Sequence, residues 1–370
     1  MYTIKQPRKK STWFGESNMM KILMYCISFF PLFSYSYSIH RPYDKTVPHI
    51  RAAWEDSDEC WSLKESHLEE VIFSRFDEQF FYDHLWPQEG EIVSRHGDQV
   101  VPVEVINDML ERFIDEITDC RLSKDYFDDF IILKKSDYNW QKASGLIIVK
   151  FKDYPFVAKI FCKTPETFVS PYDEGFVPAC CFIVGGGVNR HLTGFTRIKN
   201  LENIRAMIDA DPHWSTIIDT PRKWYWLPKE VRWFTVESDN IGSDYAFMRL
   251  PSIYVIIADA IESDGCLKLW KKSNRTIALE ISNFLDSCLD PHIDNFVVEK
   301  GTNKVVIIDT EHFPSMVGLK KPYHFHTYFS YYFNLTWKYM RDKFCRSKRD
   351  RIKAQKSCKD LRCLNYTITY

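Results

Sequence analysis

The chain has 370 residues, 45% of them hydrophobic and 16% aromatic, with a formal net charge of −1. That composition excludes a disordered or fibrous chain and leaves room for one large or two ordinary domains with a real core. A charge this balanced gives no basis for a specific nucleic-acid partner of the whole molecule.

The first 38 residues do not read as part of a fold. Arg8, Lys9, Lys10 and Lys21 precede an apolar run over 22–33, and the small residues Ser36 and Ser38 follow it. A basic segment, an apolar segment and a small-residue cleavage site make a signal peptide over 1–38, with Met19 or Met20 as alternative starts. The run is too short to span a bilayer, and Pro31 interrupts it. The expectation is export, secreted or periplasmic after cleavage, with delivery into a host cell as a further route. Ten cysteines lie outside the run, at 60, 120, 162, 180, 181, 266, 288, 345, 358 and 363. An exported protein could pair some of them. None forms a C-x-x-C pair or a zinc-type cluster with histidine.

Residues 39–138 read as a mostly helical, acidic region. Val103, Ile106, Leu110, Phe113, Ile114 and Ile117 keep a helical period, and Leu68, Ile72, Phe76 and Phe80 place a second helix over 65–81. A break falls at 98–102. His67, His84 and His96 are scattered rather than spaced as ligands.

From 144 the period changes. Two apolar runs, 145–152 and 156–161, flank Asp153 and Pro155 and predict a β-hairpin, with Lys159 on its second strand. Gly185, Gly186 and Gly187 are the chain's only glycine cluster; a flexible turn or a phosphate-approaching loop would both use it. A strand is expected over 191–198 and a short helix over 201–210. The stretches 224–228 and 231–236 are aromatic strand material. Residues 253–257 read as a central strand leaving through Asp259 and Ala260.

The richest stretch is 276–313. Ile277, Ile281, Phe284 and Leu285 share a helical face, and Pro291 stops that helix. A polar loop follows with Asp290, His292 and Asn295. Apolar runs at 296–298 and 305–308 then predict a hairpin with Gly301 and Asn303 in its turn, ending on Asp309 and Glu311. A last helix is expected over 327–339. The tail over 341–363 holds ten Lys and Arg against three Asp, a solvated face that could also touch anionic lipid or a polyanion.

The loop and hairpin resemble the catalytic core of the protein-kinase-like phosphotransferases, closest to the aminoglycoside and choline kinase branch. That branch carries D-x-H-x-x-N, then a hairpin, then I-D-x-E. Asp290, His292 and Asn295 match the first motif; Ile308, Asp309 and Glu311 match the second. The separations, 295 − 290 = 5 and 309 − 295 = 14, are those of the family. Cys288 stands where a histidine is usual, and Ile293 and Asp294 replace proline and glycine. The resemblance covers about residues 140–340 and lies in motifs.

What the resemblance implies is an α+β, two-lobed protein-kinase-like fold with a helical N-terminal extension and a reduced C-terminal lobe. The β-rich N-lobe would span 139–262 and the C-lobe 263–340. Asp290 would be the catalytic base, and Asn295 and Asp309 the ligands of Mg. Lys159 would bind the phosphates of ATP, paired with Glu202 or Glu174. The backbone at Asp259 and Ala260 would hold the adenine edge. The expected activity is ATP- and Mg-dependent transfer of phosphate to a hydroxyl of a protein or small molecule. A pseudokinase serving as an exported binding module is the alternative, because Cys288 and a missing glycine loop depart from the pattern. A turn that merely favours Asp and Asn is the plainest reading of the loop taken alone.

Overall fold

The structure is a computed structural model that describes residues 50–63, 76–119, 122–169, 191, 194–238, 247–313 and 324–330. All of these belong to one unit, Val47–Tyr370. The signal segment, residues 185–187, Glu174, the tail after 340 and seven of the eleven cysteines lie outside the described residues. So do most of the helix expected over 65–81 and all but the first turn of the one over 327–339. Among the described residues, no helix is long and apolar enough to cross a membrane.

In chain order the elements are strands β1 (Ile50–Trp54) and β2 (Cys60–Leu63), helix α1 (Glu78–Asp83), strands β3 (Glu91–Val93) and β4 (Val100–Pro102), and helix α2 (Val103–Asp119). Strands β5 (Phe130–Asn139), β6 (Ser144–Phe151) and β7 (Phe156–Cys162) follow, then helices α3 (Pro165–Val169), α4 (Thr196–Asp209) and α5 (Trp214–Ile217). Next are β8 (Ile218–Asp219), β9 (Lys223–Trp226), β10 (Trp233–Ser238), β11 (Phe247–Pro251), β12 (Ile253–Asp259) and β13 (Ser263–Cys266). Helix α6 (Lys272–Phe284), a 3-10 turn (Ile293–Asn295), β14 (Phe296–Glu299) and β15 (Val305–Ile307) complete the set.

The fold is mixed α and β with mainly antiparallel sheets. Its centre is a five-stranded sheet in the order β5-β6-β7-β12-β9. Alternate residues of β12 serve two cores, which explains its unbroken apolar run. Val255 and Ile257 pack under α2 with Ile106, Leu110, Phe113 and Ile117. Tyr254 and Ile256 face the other way, toward Phe81, Phe195, Ile198 and Phe234. That second core is closed by a four-stranded sheet ordered β11-β10-β1-β2. A third core gathers Ile204 and Ile208 of α4, Ile281 and Leu285 of α6 and its flank, and Phe296 and Ile307 of the β14–β15 hairpin. Helix α4 therefore has its first turn in one core and its last turns in another.

The region 39–138 is not mostly helical. It holds β1 to β4 and most of β5 beside α1 and α2. Strand β1 went unread because it pairs with the remote β10, Ile50 opposite Ser238, while β2 to β4 are runs of only three or four residues. Nothing local in a five-residue strand announces such a partner. The strand expected over 191–198 is also corrected, since helix α4 begins at Thr196. Phe195, Thr196 and Ile198 are β-prone types, but Ile198, Leu201, Ile204 and Ile208 are buried at helical spacing, and tertiary burial outweighs propensity. The helix over 103–117, both hairpins and the central strand 253–257 stand where the sequence placed them.

Candidate functional site

Lys159 is on β7, the third strand of the central sheet, on the same face as Phe161 and therefore facing α4. Its ammonium Nζ donates to Asp309 Oδ2 at 2.9 Å, across 150 residues of chain. Asp309 follows β15 immediately after Ile308, so a strand fixes its backbone while its side chain leaves the hairpin. The other carboxylate oxygen, Oδ1, accepts from Arg197 Nε at 3.0 Å. Arg197 Nη2 reaches Glu311 Oε2 at 3.0 Å. One guanidinium thus spans both acids of the I-D-x-E segment. Arg197 is almost fully buried, while Lys159 and Asp309 keep 16% and 24% of their side-chain surface, so the cluster reaches solvent on that side.

The segment 308–312 is stitched to the start of α4. Lys223 donates through Nζ to Ile308 O at 3.1 Å and to Thr310 Oγ1 at 2.7 Å. The Thr310 hydroxyl donates to Arg197 O at 2.6 Å, and Asn200 donates to Thr310 O at 3.0 Å. His312 N–H donates to Thr196 Oγ1 at 3.0 Å.

The electrostatics follow from burial and charge. Burial would raise the Asp309 pKa, yet Arg197, Lys159 and Lys223 outweigh it and hold the carboxyl well below the usual range. Burial lowers the Lys159 pKa, with Asp309 opposing. Burial, reinforced by the nearby Lys159, pulls Lys223 well below its usual value. Burial also works against the Arg197 charge, but Asp309 and Glu311 raise its pKa further above an already high value.

The polar loop is equally fixed. Leu289, Pro291 and Ile293 are buried, which turns Asp290 and His292 toward the less buried side. Asp290 Oδ1 accepts from His292 N–H at 2.9 Å. Asn295 donates its amide to Asp290 O at 3.0 Å, leaving the Asn295 Oδ1 without a hydrogen bond among the described residues. Ile308 N–H donates to Asn295 O at 2.9 Å, which sets Asn295 one residue from Asp309 along the hairpin. Burial pushes the Cys288 thiol up to about 12, away from the thiolate form at neutral pH.

The structure brings Lys159 and Asp309 into contact and joins Asn295 to Asp290 and to the residue before Asp309. It does not bring the others in. Glu202, expected near Lys159, accepts from His84 Nε2 at 2.7 Å on the α1 side of α4. Among the described residues, the carboxylate that Lys159 meets is Asp309 itself. Asp259 is buried and takes three bonds from Arg222: the N–H at 2.8 Å, Nε at 3.0 Å and Nη2 at 2.7 Å. Its own N–H donates to Arg222 O at 3.2 Å and the Ala260 N–H to Pro155 O at 2.8 Å, so neither backbone donor is open to an adenine edge. Arg197 and Lys223 escaped the sequence reading. The signal for Arg197 was there, a cation one residue before Ile198 on a buried helical face, but it is visible only once α4 is taken back to Thr196.

Mg fits this arrangement poorly. Both Asp309 oxygens already hold cations and Arg197 also holds Glu311, so of the two expected ligands only Asn295 keeps an oxygen without a hydrogen bond among the described residues. Compared with family models, curated proteins and solved structures, the chain matches none.

Proposed function

We propose that the chain is a two-lobed, kinase-like protein whose site at Lys159 and Asp309 takes a nucleotide, and that as arranged it is a binding module. The Lys159–Asp309 contact carries this reading, because a strand lysine and the acid after a hairpin meet only if the two halves close on each other as the motif implies. Division of the buried residues into a sheet-centred pair of cores and a third core around α6 and the β14–β15 hairpin supports two lobes. Lys159 would hold the phosphates in place of the Asp309 carboxylate. Calorimetric titration of the full chain with ATP tests it: wild type binds, and Lys159→Met weakens binding at least about tenfold, a loss of about 1.4 kcal/mol. Equal affinity of the two proteins would remove Lys159 from the site.

A phosphotransferase acting on a hydroxyl of a protein or small molecule is the second reading, favoured by the Asp290–Asn295 loop. There Asp290 would take the hydroxyl proton as the oxygen attacks the terminal phosphorus and ADP leaves. Asp290→Asn would then slow transfer by about 10²–10⁴-fold, the usual worth of a positioned base, with ATP affinity kept. Export belongs to the same proposal: intact-mass measurement on protein from the native source should find residues 1–38 removed.

A further inference from the structure

The cluster around Asp309 has its charges set as if a cation were already bound. Arg197 occupies one oxygen of each acid, Asp309 Oδ1 and Glu311 Oε2, each at 3.0 Å. A guanidinium cannot lose its proton in a protein, so this charge is as permanent as that of a metal. Lys159 holds the remaining Asp309 oxygen at 2.9 Å. A divalent ion would have to displace Arg197 from a largely buried site and would leave that guanidinium beside a double charge. A phosphate meets the opposite field: Lys159 lies on the less buried side, Lys223 lies behind Thr310, and Arg197 Nη1 is buried without a hydrogen-bond partner among the described residues.

We propose that Arg197 stands in place of the divalent cation, so that this site binds a phosphate-bearing nucleotide in its metal-free form. The inference rests on the nucleotide reading above and adds its metal requirement. The α4 helix then does two jobs, closing the second core through Ile198 and neutralising the acids through Arg197.

The test is titration of the full chain with ATP in EDTA and again in excess Mg²⁺, with Mg²⁺ alone as a third arm. The expected result is an ATP affinity in EDTA within about twofold of that in Mg²⁺, and no thermal shift from Mg²⁺ alone. Arg197→Met frees Asp309 and Glu311, and its ATP affinity should become at least about tenfold stronger with Mg²⁺ than in EDTA. If that variant does not fold, the wild-type pair of titrations decides alone. Binding that needs Mg²⁺ and vanishes in EDTA overturns the metal-free inference and leaves the nucleotide reading standing. No ATP binding in either buffer overturns the nucleotide reading, and this inference falls with it.

Discussion

Asp309 holds two cations, and what happens when its charge is removed follows from their burial. Among the described residues, Asp309→Asn leaves Arg197 with Glu311 alone and Lys159 with no carboxylate within bonding distance. Breaking a buried pair by removing one partner costs about 3–5 kcal/mol, so chemical denaturation should show a loss near the lower end, the site being partly open. An unchanged midpoint would mean that the cluster is screened by water and structurally idle. Two histidines set a separate pH response. Burial lowers His191 to about 3 and His312 to about 4, against an ordinary value of 6.5. With folded pKa values below the unfolded one, the unfolded chain takes up protons first as pH falls. Stability contributed by the neutral rings is therefore present above pH 6.5 and is lost progressively toward pH 4 and 3. Asp309 works lower down: its stabilising charge is kept until pH falls through its depressed value. Thermal melts from pH 7 to 4 should drop steadily, and His191→Asn should flatten the slope; a level profile in wild type would contradict the lowered values of both rings.

At the scale of elements, what was legible and what was not divide by the range of the signal. Helix α2 announced itself through six residues at helical spacing, all of them buried. The β14–β15 hairpin was legible from its turn, where Gly301 and Asn303 take positive φ of 85° and 57°. The loop from Asp290 to Asn295 was legible through its residue types. The β11-β10-β1-β2 sheet was not, because it joins strands nearly 190 residues apart. The start of α4 was missed for a related reason: Phe195 and Ile198 read as strand until the core they fill is known. Gly194 marks that start. A Cβ there would lie 1.8 Å from the Tyr254 hydroxyl and 3.0 Å from the Phe161 ring, both on rigid central strands. Gly194→Ala must push α4 off the sheet, and overpacking of this kind costs about 1–3 kcal/mol. Because Arg197 sits on the next turn, ATP affinity should fall with stability; full affinity in a destabilised variant would uncouple α4 from the site.

For the whole molecule, the site depends on elements from three cores meeting at one place: β7 brings Lys159, α4 brings Arg197, and the hairpin brings Asp309. A second tie holds the same assembly from the other side. Arg95, in the β3–β4 turn, donates to Glu299 Oε1 at 2.9 Å, to Asp219 Oδ2 at 2.6 Å and to Thr220 O at 2.7 Å. Glu299 is buried and would keep only the Thr302 hydroxyl and His96, so Arg95→Met should cost about 1–3 kcal/mol and speed hydrogen exchange across β14. The central claim is that Lys159 meets the phosphates of a nucleotide, and labelling with an acyl-phosphate derivative of ATP tests it most directly. Such a probe acylates the amine that touches its phosphates, and burial keeps the Lys159 pKa below its ordinary value, which favours reaction. Peptide mass spectrometry should find the label on Lys159, suppressed by free ATP in EDTA and in Mg²⁺ alike. Label spread over surface lysines with Lys159 untouched, or label on Lys159 that ATP does not suppress, would contradict the account.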